Sequence, residues 1–232
     1  VTRGCAAVVN ETDVCFVQET GEPHWWPLDK PLPKGVSYTT NLEKVDPAAH
    51  EILLIATDRL LHMTHPQHAA NAVTYRPKSL VLGIGCDRGT PFAVVERGIK
   101  TLLEEAGLSL ASVKALASID LKKDEPALLE LAQVYGWPFI SYPAAELDVV
   151  PGIENPSETV RKHTGTRAVA EPAALLTAGA DRLLLAKQKY SETDCDKSMT
   201  LAVARIPFAA RGEHQTPKNT PIQGQREHTH GV

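Results

Sequence analysis

No apolar run in this 232-residue chain approaches the roughly 20 residues that span a bilayer, so no membrane-crossing helix is expected. The first residues show no charged leader followed by an apolar stretch, so no signal peptide is expected either. The chain opens on Val1 rather than Met, which reads as a processed or truncated piece. Its four cysteines, Cys5, Cys15, Cys86 and Cys195, lie far apart without any C-x-x-C spacing. That argues against a zinc ribbon or a disulfide framework and for reduced thiols in a cytoplasmic protein. Two catalytic signatures are also missing. There is no G-x-x-x-x-G-K-[ST], which excludes a P-loop, and no G-x-S-x-G nucleophile elbow. A basic surplus is lacking too: the formal charge is −4, which argues against a general nucleic-acid surface. No internal repeat is found.

The composition is that of a globular protein, with 43% hydrophobic and 22% charged residues. In the first part of the chain, Ala6-Ala7-Val8-Val9, Val14-Cys15-Phe16-Val17 and Glu51 to Ala56 are short apolar runs that suit strands. Between the second and third lies a turn-rich loop, Pro23 to Gly35, whose Trp25 and Trp26 read as packing residues rather than a ligand platform. From Leu80 to about Pro207 strands alternate with helices. Strands are expected at Leu80–Ile84, Val113–Ile119, Pro138–Ser141, Arg182–Lys187 and Met199–Ile206. Helices are expected at Phe92–Ala106, Glu125–Tyr135, Ser157–His163 and Glu171–Ala178. Such alternation predicts an α/β sheet covered on both faces. Arg76-Pro77-Lys78 is a plausible junction, and the polar tail 208–232 is expected to be disordered.

The segment Gly83-Ile84-Gly85-Cys86-Asp87-Arg88-Gly89-Thr90 carries the most chemical information. It follows a strand pattern and opens onto a helical one. Closely spaced glycines there can present bare backbone N–H groups to an anion, helped by the helix N-terminus and by Arg88. The plain alternative is a turn that is simply tight. The glycines run G-x-G-x-x-x-G, one residue longer than the dinucleotide fingerprint, and the nearest strand-end acid, Asp120, lies well beyond the usual offset of about 20 residues. A nicotinamide enzyme, which would show a Rossmann strand order, therefore has little support. Cys86 is either a thiol activated at a helix start or a small residue that fits the turn.

A second constellation, Ser118-Ile119-Asp120-Leu121-Lys122-Lys123-Asp124-Glu125-Pro126, packs polar groups where a strand gives way to a helix, the edge at which open α/β sheets bind ligands. Glu125 there is either functional or a charge complement to the helix dipole. A third, Gly165 to Ala174, holds Glu171 before Pro172, for which a capping carboxylate is the plain reading. His62, His65 and His68 crowd together, but Pro66 breaks any shared helical face and no carboxylate partner is evident. They read as solvated surface histidines, as do His228 and His230, and no metal site is expected.

Taken together, GIGCDRGT, SIDLKKDE and AVAEPAALL, in this order and spacing, resemble the C-terminal domain of the CbiG/CobE family of cobalamin biosynthesis, as does the ending Met199 to Arg205. Val17-Gln18-Glu19-Thr20-Gly21 and Trp25-Trp26-Pro27 resemble the central region of CbiG, which CobE lacks. The resemblance implies three units: a CbiG-like central region at 1–74, a C-terminal domain at 75–207 and the tail at 208–232. The implied fold is a three-layer α/β/α domain with a mixed sheet, preceded by a smaller α/β region. The implied activity is cobalt-precorrin 5A hydrolysis, which opens the δ-lactone of the macrocycle and releases a two-carbon fragment as acetaldehyde. Cobalt would arrive with the substrate, so no cofactor of the protein's own is implied. Precorrin methyltransferases, to which the family also occurs fused, are candidate partners. The alternative is a non-catalytic corrinoid carrier like CobE. CbiG proteins carry a further N-terminal domain, and this chain begins inside the central region.

Lactone opening needs an activated water and donors for the developing oxyanion. The candidate catalytic residues are Glu125 or Glu171 as base, with Lys122 or the backbone N–H groups from Gly85 to Thr90 at the oxyanion. Candidate substrate-binding residues are Gly83, Gly85, Cys86, Arg88, Gly89, Thr90 and Ser118.

Overall fold

The computed structural model describes residues 2–151, 153, 161–162 and 164–209. The helix expected at Ser157–His163 falls almost wholly outside the described residues, and so do residues 210–232 with both tail histidines. Two sheets organise the rest.

The first sheet follows a helix, α1 (Thr2–Val9), and contains β1 (Val14–Gln18), β2 (Val36–Thr39), β3 (Ile52–Ala56) and β4 (Ala72–Tyr75). All its pairings are parallel, in the order β2-β1-β3-β4. Two short helices, α2 (Leu61–Thr64) and α3 (Pro66–Ala69), link β3 to β4. Side chains alternate between faces along each strand. Cys15, Val17, Leu53 and Ile55 pack on Leu42, Val45 and Leu61, while Val14 and Ile52 pack on Ala7 of α1.

The strand expected at Ala6–Val9 is therefore part of a helix. A four-residue apolar run carries no period of its own. Over a longer window Gly4, Ala7 and Val8 recur at three- and four-residue spacing and face the sheet, close enough that a Cβ on Gly4 would lie 2.7 Å from Leu54. Trp25 packs edge-on against Phe16 with ring centroids 4.6 Å apart and also meets Tyr38. His65 and His68 are buried, not solvated. Their Nε2 atoms meet Glu43 at 2.7 Å and the Val45 carbonyl at 2.8 Å.

The chain crosses to the second sheet between Tyr75 and Leu80. That sheet holds β5 (Leu80–Cys86), β6 (Val113–Ile119), β7 (Phe139–Tyr142), β8 (Leu183–Ser191) and β9 (Ser198–Arg205). Its order is β7-β6-β5-β9-β8, with β5, β6 and β7 parallel and β9 antiparallel to both its neighbours. A Rossmann order is thereby ruled out. The helices are α4 (Phe92–Glu105), α5 (Pro126–Tyr135), α6 (Ala144–Asp148) and α7 (Ala170–Ala178).

Leu80, Leu82 and Ile84 of β5 point to the face covered by α4 and α5, where Val95, Ile99, Leu103, Leu128 and Leu131 complete the core. Val81 points to the opposite face, with Ala173, Ala174 and Leu175 of α7. The result is a three-layer α/β/α unit with a mixed sheet, alongside the smaller parallel α/β unit. Helix α7 carries alanine at four of its nine positions, and it lies directly on the sheet. A Cβ on Gly83 would stand 1.8 Å from the Ala170 carbonyl oxygen.

Candidate active site

The parallel strands β5 and β6 end on the same edge, and the antiparallel β9 begins there. A cleft of about 610 Å³ opens at that edge. Its walls include Gly85, Cys86, Asp87 and Arg88 from the end of β5, Ile119, Leu121 and Lys122 from the end of β6, Ala168 to Ala170 at the start of α7, Lys187 of β8 and Ser198 to Thr200 of β9. Three cations therefore border it, Arg88, Lys122 and Lys187, against one surface carboxylate, Asp87. Asp87 is anchored across the sheet: its Oδ2 accepts from the Ser198 N–H at 2.7 Å and the Ser198 hydroxyl at 3.0 Å.

Glu125 lies just beneath this rim, fully buried at 0% exposure. Its Oε1 accepts from the Gly89 N–H at 2.8 Å, and its Oε2 accepts from Lys122 Nζ at 3.1 Å. The anion that the turn after β5 binds is thus the protein's own. Arg88 Nη1 lies 3.6 Å from the same Oε2, donates to Asp124 at 2.7 Å, and its Nη2 donates to the Leu121 carbonyl at 2.7 Å. These contacts join the two polar sequence segments into one rim. Glu171, in the first turn of α7 behind the cleft wall, is also 0% exposed. Its Oε1 accepts from the backbone N–H of Lys187 at 3.0 Å.

With this geometry in view, the comparison with known proteins is decisive. Residues 80–204 match the family model described as "Cobalamin synthesis G C-terminus". The chain belongs to this family. A cobalt-precorrin-5A hydrolase of Priestia megaterium is 42% identical over 208 residues, covering 90% of this chain and 54% of that relative. Protein CobE of a Sinorhizobium species is 38% identical over 130 residues, which is 56% of this chain and 84% of that relative. A solved structure of CobE has 37% identity and a TM-score of 0.49, covering 57% of this chain and 94% of that one. The chain spans about half the length of the first of these relatives.

Within this member of the cobalamin synthesis G family, the residues singled out from the sequence divide into two groups. Gly85, Cys86, Arg88 and Lys122 line the cleft. Gly83, Gly89, Thr90 and Ser118 do not. Gly83 sits in β5 under α7, and Ser118 is buried with its hydroxyl donating to the Ile84 carbonyl at 2.6 Å. Thr90 is buried and its hydroxyl donates to the Asp87 carbonyl at 2.8 Å. Gly89 has φ +70°, which explains a glycine there, and its N–H serves Glu125.

Most of the expected loop is therefore not a set of free backbone donors. Gly83 and Gly85 belong to the strand. The N–H groups of Asp87, Gly89 and Thr90 all have internal partners: the Ser198 carbonyl, Glu125 and the Asp87 carbonyl. Nor is Cys86 activated. Burial pushes its thiol up to about 11, against the opposing pull of Lys122, and the helix after it begins only at Phe92. Glu125 and Glu171 stand behind the cleft wall with their oxygens on Lys122, Gly89 and Lys187, so this arrangement has them hold other groups. The N-cap residue of α7 is Val169, which makes no side-chain cap bond, and Glu171 lies in the first turn of the helix.

Asp87, Lys187, Ser198 and Thr200 were not singled out from the sequence. Asp87 directly follows β5, whereas Ser198, Thr200 and Lys187 reach the cleft because β9 returns antiparallel beside β5, pairing Cys86 with Met199 and Gly85 with Thr200, with β8 beyond it. Among the described residues no cluster of histidine, cysteine and carboxylate side chains could hold a metal ion, and no helix is long and apolar enough to cross a membrane.

Proposed function

We propose that this chain carries out, or forms the cleft for, hydrolysis of the δ-lactone of cobalt-precorrin 5A with release of acetaldehyde. The observation that supports the reading is the cation-bordered cleft at the ends of β5 and β6 in a member of the cobalamin synthesis G family. A macrocycle fringed with carboxylates calls for such a border, and cobalt comes as part of that substrate.

The chemistry asks for charge stabilisation at two moments. Water adds to the lactone carbonyl, whose oxygen becomes negative. The acyl–oxygen bond then breaks, giving a carboxylate and a hydroxyl on the two-carbon bridge. That hydroxyl next loses its proton as the carbon–carbon bond to the macrocycle breaks. The electron pair stays on the ring, which takes up a proton, and acetaldehyde leaves. One water is consumed per aldehyde. Lys122 is the group we assign to the carbonyl oxyanion. Its side chain is only 14% exposed, and Glu125 behind it fixes the ammonium without needing solvent to reorganise. Arg88, at the rim, is assigned to a substrate carboxylate.

The test is acetaldehyde release on anaerobic incubation of the 232-residue chain with cobalt-precorrin 5A. Catalytic release is the expected result. A second reading has its own support: CobE, matched over most of its length, makes a corrinoid carrier the alternative. Tight binding of the macrocycle without aldehyde would favour that carrier.

A further inference from the structure

Strand β8 is interrupted beside the cleft. Between Leu185 and Gln188 its partners on β9 advance only from Val203 to Leu201, so three steps on one strand face two on the other. Ala186 and Lys187 occupy the bulge. Two of its backbone groups are met by side chains. The Lys187 N–H donates to Glu171 Oε1 at 3.0 Å, and Gln188 Nε2 donates to the Ala186 carbonyl at 3.2 Å. Glu171 is fully buried in the first turn of α7. A carboxylate is costly in such a place unless it meets donors, so its position there marks a built feature. Bulges beside binding sites re-aim a side chain that regular pleating would send elsewhere. Lys187 borders the cleft, as do Lys122 and Arg88.

We infer that Lys187 is a substrate-binding residue, a cation that takes a carboxylate of the macrocycle. Glu171 is the positioning residue that holds the bulge presenting it. This inference rests on the reading of the cleft as the site for a carboxylate-fringed macrocycle. It assigns the substrate two anchoring points, Lys187 on β8 and the Arg88–Lys122 rim beyond β5 and β6.

The experiment combines KM and kcat for acetaldehyde release with equilibrium binding of uroporphyrin, a macrocycle bearing eight carboxylates. Lys187→Met is expected to weaken binding and raise KM by about tenfold or more, the loss of one charge-assisted contact, with kcat changed far less. Lys189→Met, on the exposed part of the same strand, is the control and leaves both unchanged. Glu171→Gln still accepts from the Lys187 N–H and is expected to bind like the unaltered protein. Glu171→Ala removes the acceptor and should match Lys187→Met, with no further loss in the double variant. If Glu171→Ala fails to fold, the Gln and Lys187 variants still decide the matter.

Lys187→Met binding as well as Lys189→Met, while Lys122→Met binds weakly, overturns the inference and leaves the proposed function standing. A Glu171→Gln variant with normal KM and a kcat lowered about 100-fold overturns the positioning role in favour of a base. If the unaltered chain neither binds a macrocycle nor releases aldehyde, the proposed function and this inference fall together.

Discussion

The buried carboxylate of Asp58 accepts a two-pronged pair of bonds from Arg205, 2.7 Å from Nε and 2.6 Å from Nη2. It also accepts from the Ser79 hydroxyl at 2.8 Å. Asp58 follows β3 of the first sheet, and Arg205 ends β9 of the second. Around them the Ser109 N–H donates to the Asp58 carbonyl, the Leu60 N–H to the Gly107 carbonyl, and Arg59 bridges to Leu108. The loop after β3 is thus stitched to the far end of the sheet whose other edge carries the cleft.

Removing the cation strands Asp58, which is 0% exposed. Arg205→Met is expected to destabilise the protein by about 3 kcal/mol, the cost of leaving one member of a buried pair unmatched. Urea unfolding of the variant and the unaltered chain checks this. A loss below about 1 kcal/mol would mean that water reaches Asp58 and the pair is no clamp.

Two glycines of the same motif should respond differently to alanine. At Gly83 the new Cβ meets the Ala170 carbonyl and other backbone atoms of α7, so the helix must lift from the sheet. A loss of about 2–3 kcal/mol or more is expected from such overpacking. At Gly89 nothing lies within 4 Å and only φ +70° opposes the change, so about 1 kcal/mol is expected. Thermal unfolding of both variants gives the order, and Gly89→Ala proving the more damaging would refute the packing account.

Cys86 should be inert at neutral pH despite lying in the cleft. Burial pushes its thiol up to about 11, so at pH 8 it should stay protonated, the reactive thiolate growing only as pH approaches that value. Relative to an ordinary cysteine near 8.5, iodoacetamide labelling at pH 8 should be slower on the order of 100-fold. Peptide mapping should find exposed Cys5 labelled first, and rapid labelling of Cys86 would contradict this.

Glu125→Gln keeps an acceptor for the Gly89 N–H but loses the charge that holds Lys122. If Glu125 orients Lys122, turnover should fall by no more than about tenfold, whereas a general base would cost about 100-fold or more. Steady-state acetaldehyde release separates the two. The larger loss would restore Glu125 to the role that its place in the sequence first suggested.

How much of this was legible in the residues follows their spacing. β6 at Val113–Ile119 matches its apolar run, and α4 and α5 depart from expectation by a residue at their ends. Strand β8 extends beyond the expected Lys187 to Ser191, because its outer half is polar and pairs through its backbone with β9. β2 and β4 escaped notice for a related reason. Each is a four-residue edge strand with partly exposed side chains, held by ladder bonds to a better strand rather than by its own pattern.

The sequence alone determined which stretches are apolar and with what period, and therefore the alternation that makes an α/β sheet covered on both faces. It also marked the two polar corners around Arg88 and Lys122. Tertiary structure decided what those corners do. Whether a glycine serves a ligand or a packed helix depends on what lies above it, and at Gly83 that is the Ala170 carbonyl of α7, far along the chain. Whether a glutamate is free depends on which N–H groups reach it, and both buried glutamates meet donors from other elements. Local periodicity records the face a residue prefers. Strand order and register come from long-range packing, and they alone bring Ser198, Lys187 and Cys86 to one cleft.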